Sequence, residues 1–318
     1  MDVSIIIVNY CTPYLTIDCI NSIIHHTIGL NYEIIVVDNN SNDDSKHIIT
    51  EKLRGKIVYI QSDKNLGFGK ANNLGCKYAT GEYLFLLNSD TLLINNAIKE
   101  LYEYIKNHKD VGIVGGNLYT KNLEPNASYA MKFNDLNTIK DESRWFNIFK
   151  QILSNRITVS KKRKDFNYSN EPKRVAYIYG ADLMISRQLF CELKGFDDDF
   201  FMYYEEQELS FRVSRLGYQI ISVPSARIIH YDGASTKVND EFKPKQFRMR
   251  VHGAFIYFNK CYGSDGYKKY YHYKMKKNKR ILKIAKKLKR KKLFELTNIQ
   301  INCLENIYQN FCEKGESS

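Results

Sequence analysis

The sequence predicts an α/β fold in which a mostly parallel β-sheet is covered by helices. In residues 1–120, β-branched apolar runs alternate with segments whose apolar residues recur at helical spacing. Most of the apolar runs are too continuous for a sheet with one face in water, which is typical of strands buried on both faces. These two observations favour strand and helix units built around one large core, and 318 residues are enough to bury it.

The strands of this sheet are expected where β-branched and aromatic residues cluster. The predicted strands are Val3–Asn9, Glu33–Asp38, Ile57–Gln61, Tyr83–Leu87 and Val111–Val114, with later ones near Tyr218–Val223 and Ala226–His230. The first helix is expected to begin at Thr12-Pro13, because a hydroxyl residue followed by proline is typical of a helix N-terminus. Another helix is expected where Ala97, Leu101 and Ile105 recur at helical spacing.

The pattern changes in the second half of the chain. Residues 121–172 are polar and basic, apart from an apolar patch at 145–153 that fits one helical face. Strand-like sequence resumes at Val175–Gly180, and after about Thr236 the chain has a helical pattern to its last residue. We therefore expect two domains, residues 1–235 around the sheet and residues 236–318 as a helical, basic region.

Positive charge is concentrated in one segment. The chain has 48 Lys and Arg residues against 35 Asp and Glu, a net charge of +13, and 14 of the basic residues lie in 268–292 without an acidic one. The rest of the chain is close to neutral, so the charge indicates a local attachment surface. A segment of this kind can neutralise nucleic-acid phosphates, which keeps a nucleic-acid-binding protein among the alternatives.

Features of secreted or membrane-spanning chains are not found in the sequence. The longest apolar runs have about five residues, whereas a spanning helix needs roughly 20. The N-terminal residues lack the basic stretch and small-residue cleavage site of a signal peptide. The seven cysteines include no C-x-x-C pair, which is typical of a reduced compartment. We expect a cytoplasmic chain.

Polar side chains follow three of the predicted strands. The first strand ends in Asn9-Tyr10, the second leads into Asp38–Ser41 and the fourth into Asn88–Asp90. Ligands of open α/β sheets bind outside the carboxyl ends of the strands, so these segments are expected on one edge of a cleft. Each segment alone could simply turn the chain or cap a helix. Their coincidence favours a binding site.

The segment Asn65–Gly75 places glycines and a lysine where a loop enters a helix. Glycine allows close approach of a ligand to the backbone, the free N–H groups of a helix N-terminus favour phosphate, and Lys70 adds a positive charge. The spacing is not that of a P-loop. An ordinary glycine-containing turn is the alternative.

Two groups of carboxylates suit metal binding and proton transfer. Asp90 follows a buried strand, and carboxylate oxygens there suit Mg²⁺ or Mn²⁺ beside substrate phosphates. Glu205, Glu206 and Glu208 lie next to an aromatic run, and partial desolvation can tune a carboxylate as a general base. The alternative is a Glu-rich helix N-terminus in which Arg212 pairs with Glu208.

Taken together, these residues resemble the glycosyltransferase family 2 enzymes of GT-A fold, particularly the bacterial rhamnosyltransferase-like branch. The resemblance covers roughly three quarters of the chain. It is carried by Val8–Tyr10, Val37–Ser41, Asn65–Gly75, Leu87–Asp90, Gly180–Met184, Gly195–Asp197, Phe201–Glu206 and His230-Tyr231. It implies the Rossmann-like mixed sheet of nucleotide-diphospho-sugar transferases, flanked by helices and followed here by a helical C-terminal extension.

The resemblance also implies an inverting transfer of a sugar from a nucleotide sugar, with UDP or dTDP, to a hydroxyl of a glycan or polyprenyl-diphosphate-linked acceptor. The implied nucleotide-binding residues are Asn9, Tyr10, Asp38, Asn40, Asn65, Gly67, Gly69, Lys70, Asn73 and Ser89. The implied acceptor-binding residues are Gly180, Ala181, Asp182 and Glu205. Within the first set, Asp38 is expected to read the nucleotide base.

By the same resemblance, Asn88-Ser89-Asp90 is a degenerate D-x-D metal motif, and Glu205-Glu206 occupies the place of the usual Glu-Asp pair. A Mn²⁺ or Mg²⁺ ion is then expected on Asp90 and His230, and Glu206 is expected to act as the catalytic base. Asn88 and Glu206 both depart from the family pattern, so a catalytically impaired nucleotide-sugar-binding protein is an alternative.

The basic segment 268–292 also carries Ile281, Ile284, Ala285 and Leu288 at helical spacing. Such a helix can lie on an anionic membrane with its apolar stripe inserted and its lysines at the headgroups. Because enzymes resembling this one commonly act on polyprenyl-linked acceptors, we expect a peripheral protein at the inner face of the cell membrane. The alternative is that the stripe packs on the protein. Nucleic acid is not expected as a partner, because carboxylates follow the strands.

Overall fold

The computed structural model describes residues 1–145, 148, 163–231 and 243–315. The chain forms two compact units, the first from Met1–Phe133, Arg163–Phe201 and Glu205–Asn239, and the second from Asn134–Lys162, Met202–Tyr204 and Asp240–Ser318. The second unit therefore includes segments from within residues 1–235 as well as the C-terminal region. The apolar patch predicted as helical at 145–153 lies outside the described residues except for Trp145 and Ile148.

A mixed β-sheet forms the centre of the first unit. The strands of the described chain are β1 Val3–Asn9, β2 Tyr32–Asp38, β3 Val58–Gln61, β4 Tyr83–Asn88, β5 Thr91–Leu93, β6 Val111–Tyr119, β7 Tyr129–Ala130, β8 Lys173–Arg174, β9 Tyr177–Ile178, β10 Asp182–Ser186 and β11 Gln219–His230. Their order across the main sheet is β3-β2-β1-β4-β10-β6-β11-β5, with β8 paired to β11. Strands β7 and β9 pair with each other.

Parallel pairing brings the polar strand ends to one edge of this sheet. In the register of β1 with its two neighbours, Asn9 lies opposite Asp38 and Val8 lies opposite Asn88. Strand β10 is antiparallel to both β4 and β6, which makes the sheet mixed. The predicted mixed α/β sheet is confirmed.

The observed strands differ from the predicted ones at a few places. Strand β6 continues to Tyr119 because it pairs along its length with β11. The two strands predicted over 218–230 form the single strand β11, whose register with β6 shifts between Ser222 and Arg227. Strand β5 lies outside the predictions because its three residues are too few to show a pattern.

Helices cover both faces of the sheet. The helices of the first unit are α1 Pro13–His26, α2 Ser45–Lys52, α3 Phe68–Cys76, α4 Ala97–Asn107, α6 Arg187–Glu192 and α7 Glu205–Arg215. Helix α5, Leu136–Glu142, belongs to the second unit. Side chains alternate along β1, so that Ile5 joins a cluster with α1 and α4 while Ile6 joins one with Ala71 of α3 and Leu209 of α7. The faces are thus buried, and ligands of open α/β sheets bind outside the carboxyl edge of the parallel strands.

The second unit is helical in its described C-terminal part, as predicted. Its long helices are α8 Pro244–Tyr262, α9 Ser264–Lys287 and α10 Lys291–Gly315. Phe255 of α8 contacts Tyr270 of α9 and Phe311 of α10, which makes the interior strongly aromatic. No helix in the described ranges is long and apolar enough to span a membrane.

The apolar stripe of α9 lies partly inside this unit. Ile284 and Ala285 are buried, whereas Leu288 is exposed just after the helix. The predicted insertion of the whole stripe into a membrane is therefore wrong for Ile284 and Ala285, because both side chains are already buried in the protein. All seven cysteines fall in described residues and are free.

Candidate functional site

Asp38 lies at the end of β2 in a closed hydrogen-bond network. Its Oδ2 accepts a hydrogen bond from Asn9 Nδ2 at 2.7 Å, and its Oδ1 accepts from the Ser41 N–H at 2.8 Å and from Gln61 Nε2 at 2.9 Å. Asp38 is only 1% exposed, whereas the neighbouring Tyr10 is 48% exposed. Three donors therefore fix the carboxyl group of Asp38, and Tyr10 provides an accessible ring at this strand end.

Asn39 fastens the glycine-containing loop to the end of β2. Its Oδ1 accepts from the Leu66 N–H at 2.8 Å, and its Nδ2 donates to Asn65 Oδ1 at 3.1 Å and to the Gly67 carbonyl at 3.3 Å. Asn65 in turn accepts from the Gly67 N–H at 3.0 Å. The sequence reasoning did not assign a role to Asn39, although its place between Asp38 and Asn40 was a signal. Asn65, predicted to bind nucleotide, is part of this fastening.

Both glycines at the start of α3 are required by close packing. Gly67 has a φ of +81°, and a Cβ at this position would lie 2.0 Å from the Phe201 carbonyl oxygen. A Cβ on Gly69 would lie 3.0 Å from Phe196 Cβ. The first N–H of the helix, that of Phe68, donates to the Phe201 carbonyl at 2.9 Å. The glycines therefore fix the helix start against residues 196–201, with Lys70 half-buried in the first turn.

Asn73 of α3 is also engaged by the protein itself. Its Nδ2 donates to the Phe196 carbonyl at 2.8 Å, and its Oδ1 accepts from the Phe196 N–H at 2.9 Å. The structure thus places Asn73 as a support of the Gly195–Phe196 turn, with both polar atoms of its amide engaged by the backbone of Phe196. Asn40, in contrast, follows Asp38 in a left-handed conformation with a φ of 63° and is only half-buried.

Asp90 and His230 meet through the pairing of β5 with β11. His230 lies opposite Thr91 in this antiparallel pair, and the Tyr231 N–H donates to the Asp90 carbonyl at 2.9 Å. The His230 Nε2 and Asp90 Oδ1 atoms are 3.3 Å apart, with side chains 13% and 9% exposed. A carboxylate suits Mn²⁺ and Mg²⁺, and an imidazole is a common ligand of first-row transition-metal ions, to which Mn²⁺ belongs. This donor set fits the implied ion, and Ser89 lies half-buried directly before Asp90.

Asp90 and His230 alone would make up only part of a coordination shell. Among the described residues, no group of three or more His, Cys, Asp or Glu side chains could hold a metal ion. Mg²⁺ and Mn²⁺ commonly complete their shells with water and substrate phosphate oxygens. The arrangement therefore suits an ion that depends on the substrate for its remaining ligands.

Helix α7 begins with the two glutamates of the acidic segment. Glu205 is buried, and its Oε2 has no hydrogen-bond partner within the described chain. Burial raises the pKa of Glu205 well above its ordinary value, and the charge of Glu206 raises it further. Glu206 is half-buried, and desolvation raises its pKa also. Burial therefore favours the neutral form of both carboxyl groups, and Glu205 is the more deeply buried of the two.

Gly180 leaves space beside Glu206. The atoms nearest to a Cβ on Gly180 would be Phe68 Cε1 at 3.5 Å, Phe68 Cζ at 3.8 Å and Glu206 Cβ at 3.8 Å, all ordinary van der Waals contacts. The following residue, Ala181, accepts a hydrogen bond from the Asn88 N–H at 3.0 Å through its carbonyl. The backbone of Gly180-Ala181 thus connects Glu206 with the segment that leads to Asp90.

Asp182 lies inside the sheet. It is completely buried on β10, where its Oδ2 accepts from the Gly116 N–H at 2.5 Å and its Oδ1 has no partner among the described residues. Burial raises the pKa of Asp182 well above its ordinary value. The sequence predicts that Asp182 contacts an acceptor. The structure instead buries its side chain, because β10 inserts between β4 and β6. Ala181 is likewise buried, so Gly180 is the accessible residue of this segment.

For Glu208 the structure shows the structural alternative, in which this residue pairs with Arg212 of the same helix. Arg212 Nε and Nη2 each lie 2.7 Å from a Glu208 carboxylate oxygen. Arg212 also donates to the Leu193 carbonyl at 2.6 Å and to the Gly195 carbonyl at 2.8 Å. This pair is therefore structural, and it ties α7 to the turn that Asn73 supports.

Comparison with known proteins places this chain in a family. The sequence model described as Glycosyl transferase family 2 matches residues 4–190, more than half of the chain. The glycosyltransferase GlyG of Streptococcus pneumoniae is 30% identical over 119 residues, which cover 37% of this chain and 39% of GlyG. The rhamnosyltransferase WbbL of Escherichia coli is 28% identical over 239 residues, which cover 71% of this chain and 82% of WbbL.

Solved structures agree with the fold. The crystal structure of GalNAc-T7 with UDP, GalNAc and Mn²⁺ has a TM-score of 0.63 and 18% sequence identity, and the match covers 87% of this chain and 51% of that one. The chain spans less than half of GlyG but most of WbbL. The family match includes Asp38, Asp90 and Asp182, while Glu206 and His230 lie beyond its last residue. The predicted family is confirmed, and the chain belongs to glycosyl transferase family 2.

Proposed function

We propose that the protein is an inverting glycosyltransferase that moves a sugar from a UDP- or dTDP-linked donor to a hydroxyl of a glycan or polyprenyl-diphosphate-linked acceptor in cell-surface polysaccharide synthesis. The observation that carries this proposal is the position of Glu206. Its Cβ lies 3.8 Å from the Cβ position of Gly180. Gly180 is followed by Ala181, which is hydrogen-bonded to Asn88 of the metal motif.

The donor nucleotide is proposed to bind along the edge formed by β1, β2 and the start of α3. The exposed ring of Tyr10 suits stacking on a base. Tyr10 and Asn40 would contact the nucleoside, whereas Asn9 and Asp38 are buried in their shared hydrogen-bond network and would shape this strand end from within. Gly67, Gly69, Lys70 and Ser89 would lie near the ribose and phosphates. Asn65 and Asn73 support this site through the loop and the turn that they hold.

Asp90 and His230 are proposed to hold Mn²⁺ or Mg²⁺, the use implied by the family and consistent with their 3.3 Å separation. When bound, the ion neutralises charge on the diphosphate that leaves the donor sugar. Lys70 adds a protein charge on the same side. Asn88 cannot supply an anionic ligand, so the two remaining side chains carry the protein's share of ion binding.

Glu206 is proposed to accept the proton of the acceptor hydroxyl as that hydroxyl attacks the anomeric carbon. A carboxylate with a raised pKa is a better base at neutral pH than an ordinary one. Glu205 is the more deeply buried of the two, and burial raises its pKa well above the ordinary value, which favours its neutral form. A single displacement, with Glu206 as the base, inverts the anomeric configuration without a covalent intermediate.

The proposal is tested first by donor binding and then by turnover. A ligand at about 100 times its dissociation constant stabilises a protein by about 2.7 kcal/mol, so a thermal-shift panel of nucleotide sugars with and without Mn²⁺ identifies the donor. Release of nucleoside diphosphate that depends on an added acceptor then identifies transfer. Donor binding without any release under these conditions would instead support the catalytically impaired binding protein.

We further propose that the protein is peripheral at the inner face of the cell membrane, through the exposed lysines of α9. These lysines lie within an arc of about 100° around the helix axis and along about 28 Å of its length. They are Lys268, Lys269, Lys276, Lys279, Lys283, Lys286 and Lys287. Each basic residue near anionic lipid contributes about 1 kcal/mol. Since Ile284 and Ala285 are buried, this contact is electrostatic.

A further inference from the structure

The turn between β4 and β5 is closed by the side chain of Thr91. The Thr91 hydroxyl donates to the Asn88 carbonyl at 2.8 Å, across the turn that contains Ser89 and Asp90. On the other side of the same residue, the Asn88 N–H donates to the Ala181 carbonyl at 3.0 Å. Both backbone groups of Asn88 are thus held, and Asp90 lies between two anchored residues.

Helix α1 supports this turn from within the core. Cys19 Sγ lies 3.7 Å from the Asn88 carbonyl oxygen and 3.5 Å from Thr91 Oγ1. Three residues further along the helix, Ser22 Oγ accepts a hydrogen bond from the Leu93 N–H at 3.0 Å. Residues three apart lie on the same side of a helix. One side of α1 therefore holds both ends of the short strand β5.

The same strand carries the pair proposed to hold the ion. Thr91 lies opposite His230 in the pairing of β5 with β11, and the Asp90 carbonyl accepts from the Tyr231 N–H at 2.9 Å. The backbone of Asp90 is thus fixed by β11, and the path of the turn that leads to it is fixed by the Thr91 hydroxyl. The 3.3 Å separation of Asp90 Oδ1 and His230 Nε2 depends on both.

The hydroxyl of Thr91 is the part of the side chain that closes the turn. Thr91 and Cys19 are both 0% exposed, so bulk water does not reach the hydroxyl side of the Asn88 carbonyl. A buried acceptor that loses its donor is destabilised, and it recovers a partner only by moving. A thiol is a weak donor, so Cys19 does not replace the hydroxyl. Valine has the shape of threonine and would remove this bond alone.

We propose that Thr91 is a positioning residue of the ion site, whose hydroxyl closes the turn 88–91 and thereby fixes Asp90 beside His230. This inference rests on the proposed function, because the ion is part of it. The family resemblance gives Thr91 no role. Asn88 then serves the site through its backbone carbonyl, and this contribution does not require a charged side chain.

The binding test uses the full chain with Mn²⁺ as the probe, in separate calorimetric titrations with UDP and with dTDP. Thr91→Val should raise the Kd for Mn²⁺ about tenfold, which corresponds to the loss of about 1.4 kcal/mol and is the order of one hydrogen bond. Thr91→Ser restores the hydroxyl and should bind Mn²⁺ with an affinity near that of wild type.

The matched control is Thr297→Val in α10 of the second unit. Thr297 is also a buried threonine, and its hydroxyl donates to the Leu293 carbonyl at 2.7 Å. Urea denaturation should show a lower stability in all three variants, because each loses a buried hydrogen bond or a buried methyl group. The affinity for Mn²⁺ should fall in Thr91→Val alone. An affinity that follows stability across the three variants would overturn the positioning role.

Hydrogen exchange without any ligand separates this inference from the proposed function. The amides of Asn88 and Tyr231 should exchange about tenfold faster in Thr91→Val, since the loss of one hydrogen bond favours local opening of the turn, and at wild-type rates in Thr91→Ser and Thr297→Val. A wild type without affinity for Mn²⁺ would refute the proposed ion site, while faster exchange in Thr91→Val would still support the closing of the turn by Thr91. Unchanged exchange in Thr91→Val would refute the inference even where Mn²⁺ binds.

Discussion

His230 Nε2 lies 3.3 Å from Asp90 Oδ1, although the two residues belong to distant parts of the chain. They meet because the last strand of the sheet, β11, pairs with the short strand β5 that directly follows Asp90. The separation is thus set by a strand register, which a flexible loop could not hold as firmly. Two side chains fixed in this way are suited to share one ligand.

The metal prediction concerns Asp90→Asn, which keeps the shape of the side chain and removes its charge. We expect affinity for Mn²⁺ and for the donor nucleotide to fall together, because the ion and the diphosphate complete each other's contacts. Calorimetry with each ligand alone and with both measures this coupling, with Asp18→Asn on the exposed face of α1 as the control. Full wild-type turnover in excess EDTA would contradict the assignment and shift the charge compensation to Lys70.

The base prediction concerns Glu206→Gln. Transfer should fall on the order of 10²-fold or more, the usual scale of general-base catalysis, while donor affinity changes little. Steady-state kinetics and donor titration measure the two effects. Glu192→Gln on α6 removes an exposed carboxylate and should have no effect. Turnover near the wild-type rate in a folded Glu206→Gln protein would exclude the role.

The pH prediction follows from burial at the start of α7. Glu206 must be deprotonated to act, and desolvation raises its pKa above the ordinary 4.5. Therefore kcat/KM should decline, as the pH is lowered, through an apparent pKa that lies above this ordinary value. The pH profile of wild type measures the limb, and the residual activity of Glu206→Gln should lack it. A limb at or below 4.5 would be inconsistent with a desolvated base.

The stability prediction concerns Glu208→Gln. It leaves Arg212, which also holds two carbonyls next to the Asn73-supported turn, without its carboxylate. Breaking a largely buried pair costs about 3–5 kcal/mol, and partial exposure of Arg212 lowers the expected loss of unfolding free energy to about 2–4 kcal/mol. Urea denaturation measures it. Lys99→Gln in the exposed Lys99–Glu103 pair should cost less than about 1 kcal/mol; equal losses in the two variants would refute the structural role.

The membrane prediction compares two groups of lysines on α9. Changing Lys276, Lys279, Lys283 and Lys286 to Gln should abolish sedimentation with anionic vesicles, and wild-type binding should weaken with salt and be absent with neutral vesicles. Lys274 and Lys277 contact Glu142 within the second unit at 3.2 Å and 3.1 Å. Changing these two lysines to Gln should lower the melting temperature of the protein and should affect its binding to vesicles less than the first set of changes does. Equal binding of wild type to neutral and anionic vesicles would refute the electrostatic contact.

The residues that sequence could locate are those that follow long apolar strands. Asn9, Asp38 and Asp90 each come after such a run, so the parallel sheet alone brings them to one edge. The link between Asp90 and His230 depends on the pairing of β5 with β11, and the three residues of β5 carry too little pattern to reveal it. Asn73 has the same residue type as a ligand-binding amide, and only the fold shows that the Phe196 backbone satisfies it.

The burial of a polar residue does not follow from the local sequence pattern. The sequence around Asp182 reads as a polar residue before an apolar run, which fits either an accessible turn or the first residue of a strand. The structure has the latter, because β10 enters the sheet between β4 and β6. Burial of Asp182 is thus a consequence of tertiary insertion, which local pattern does not encode.

The hydrogen bonds of Asn39 mean that the loop 65–67 is already shaped when a ligand arrives. A segment that folds around its ligand loses conformational entropy at that moment, and the loss offsets part of the contact energy. Here Asn39 orders the loop when the chain folds, so the entropy of ordering is not lost again when a ligand binds. A nucleotide that binds at the start of α3 should accordingly dock on a rigid surface, and its binding should show a single kinetic phase. The heat-capacity change of binding should be set by the area in contact, without a contribution from the ordering of a loop.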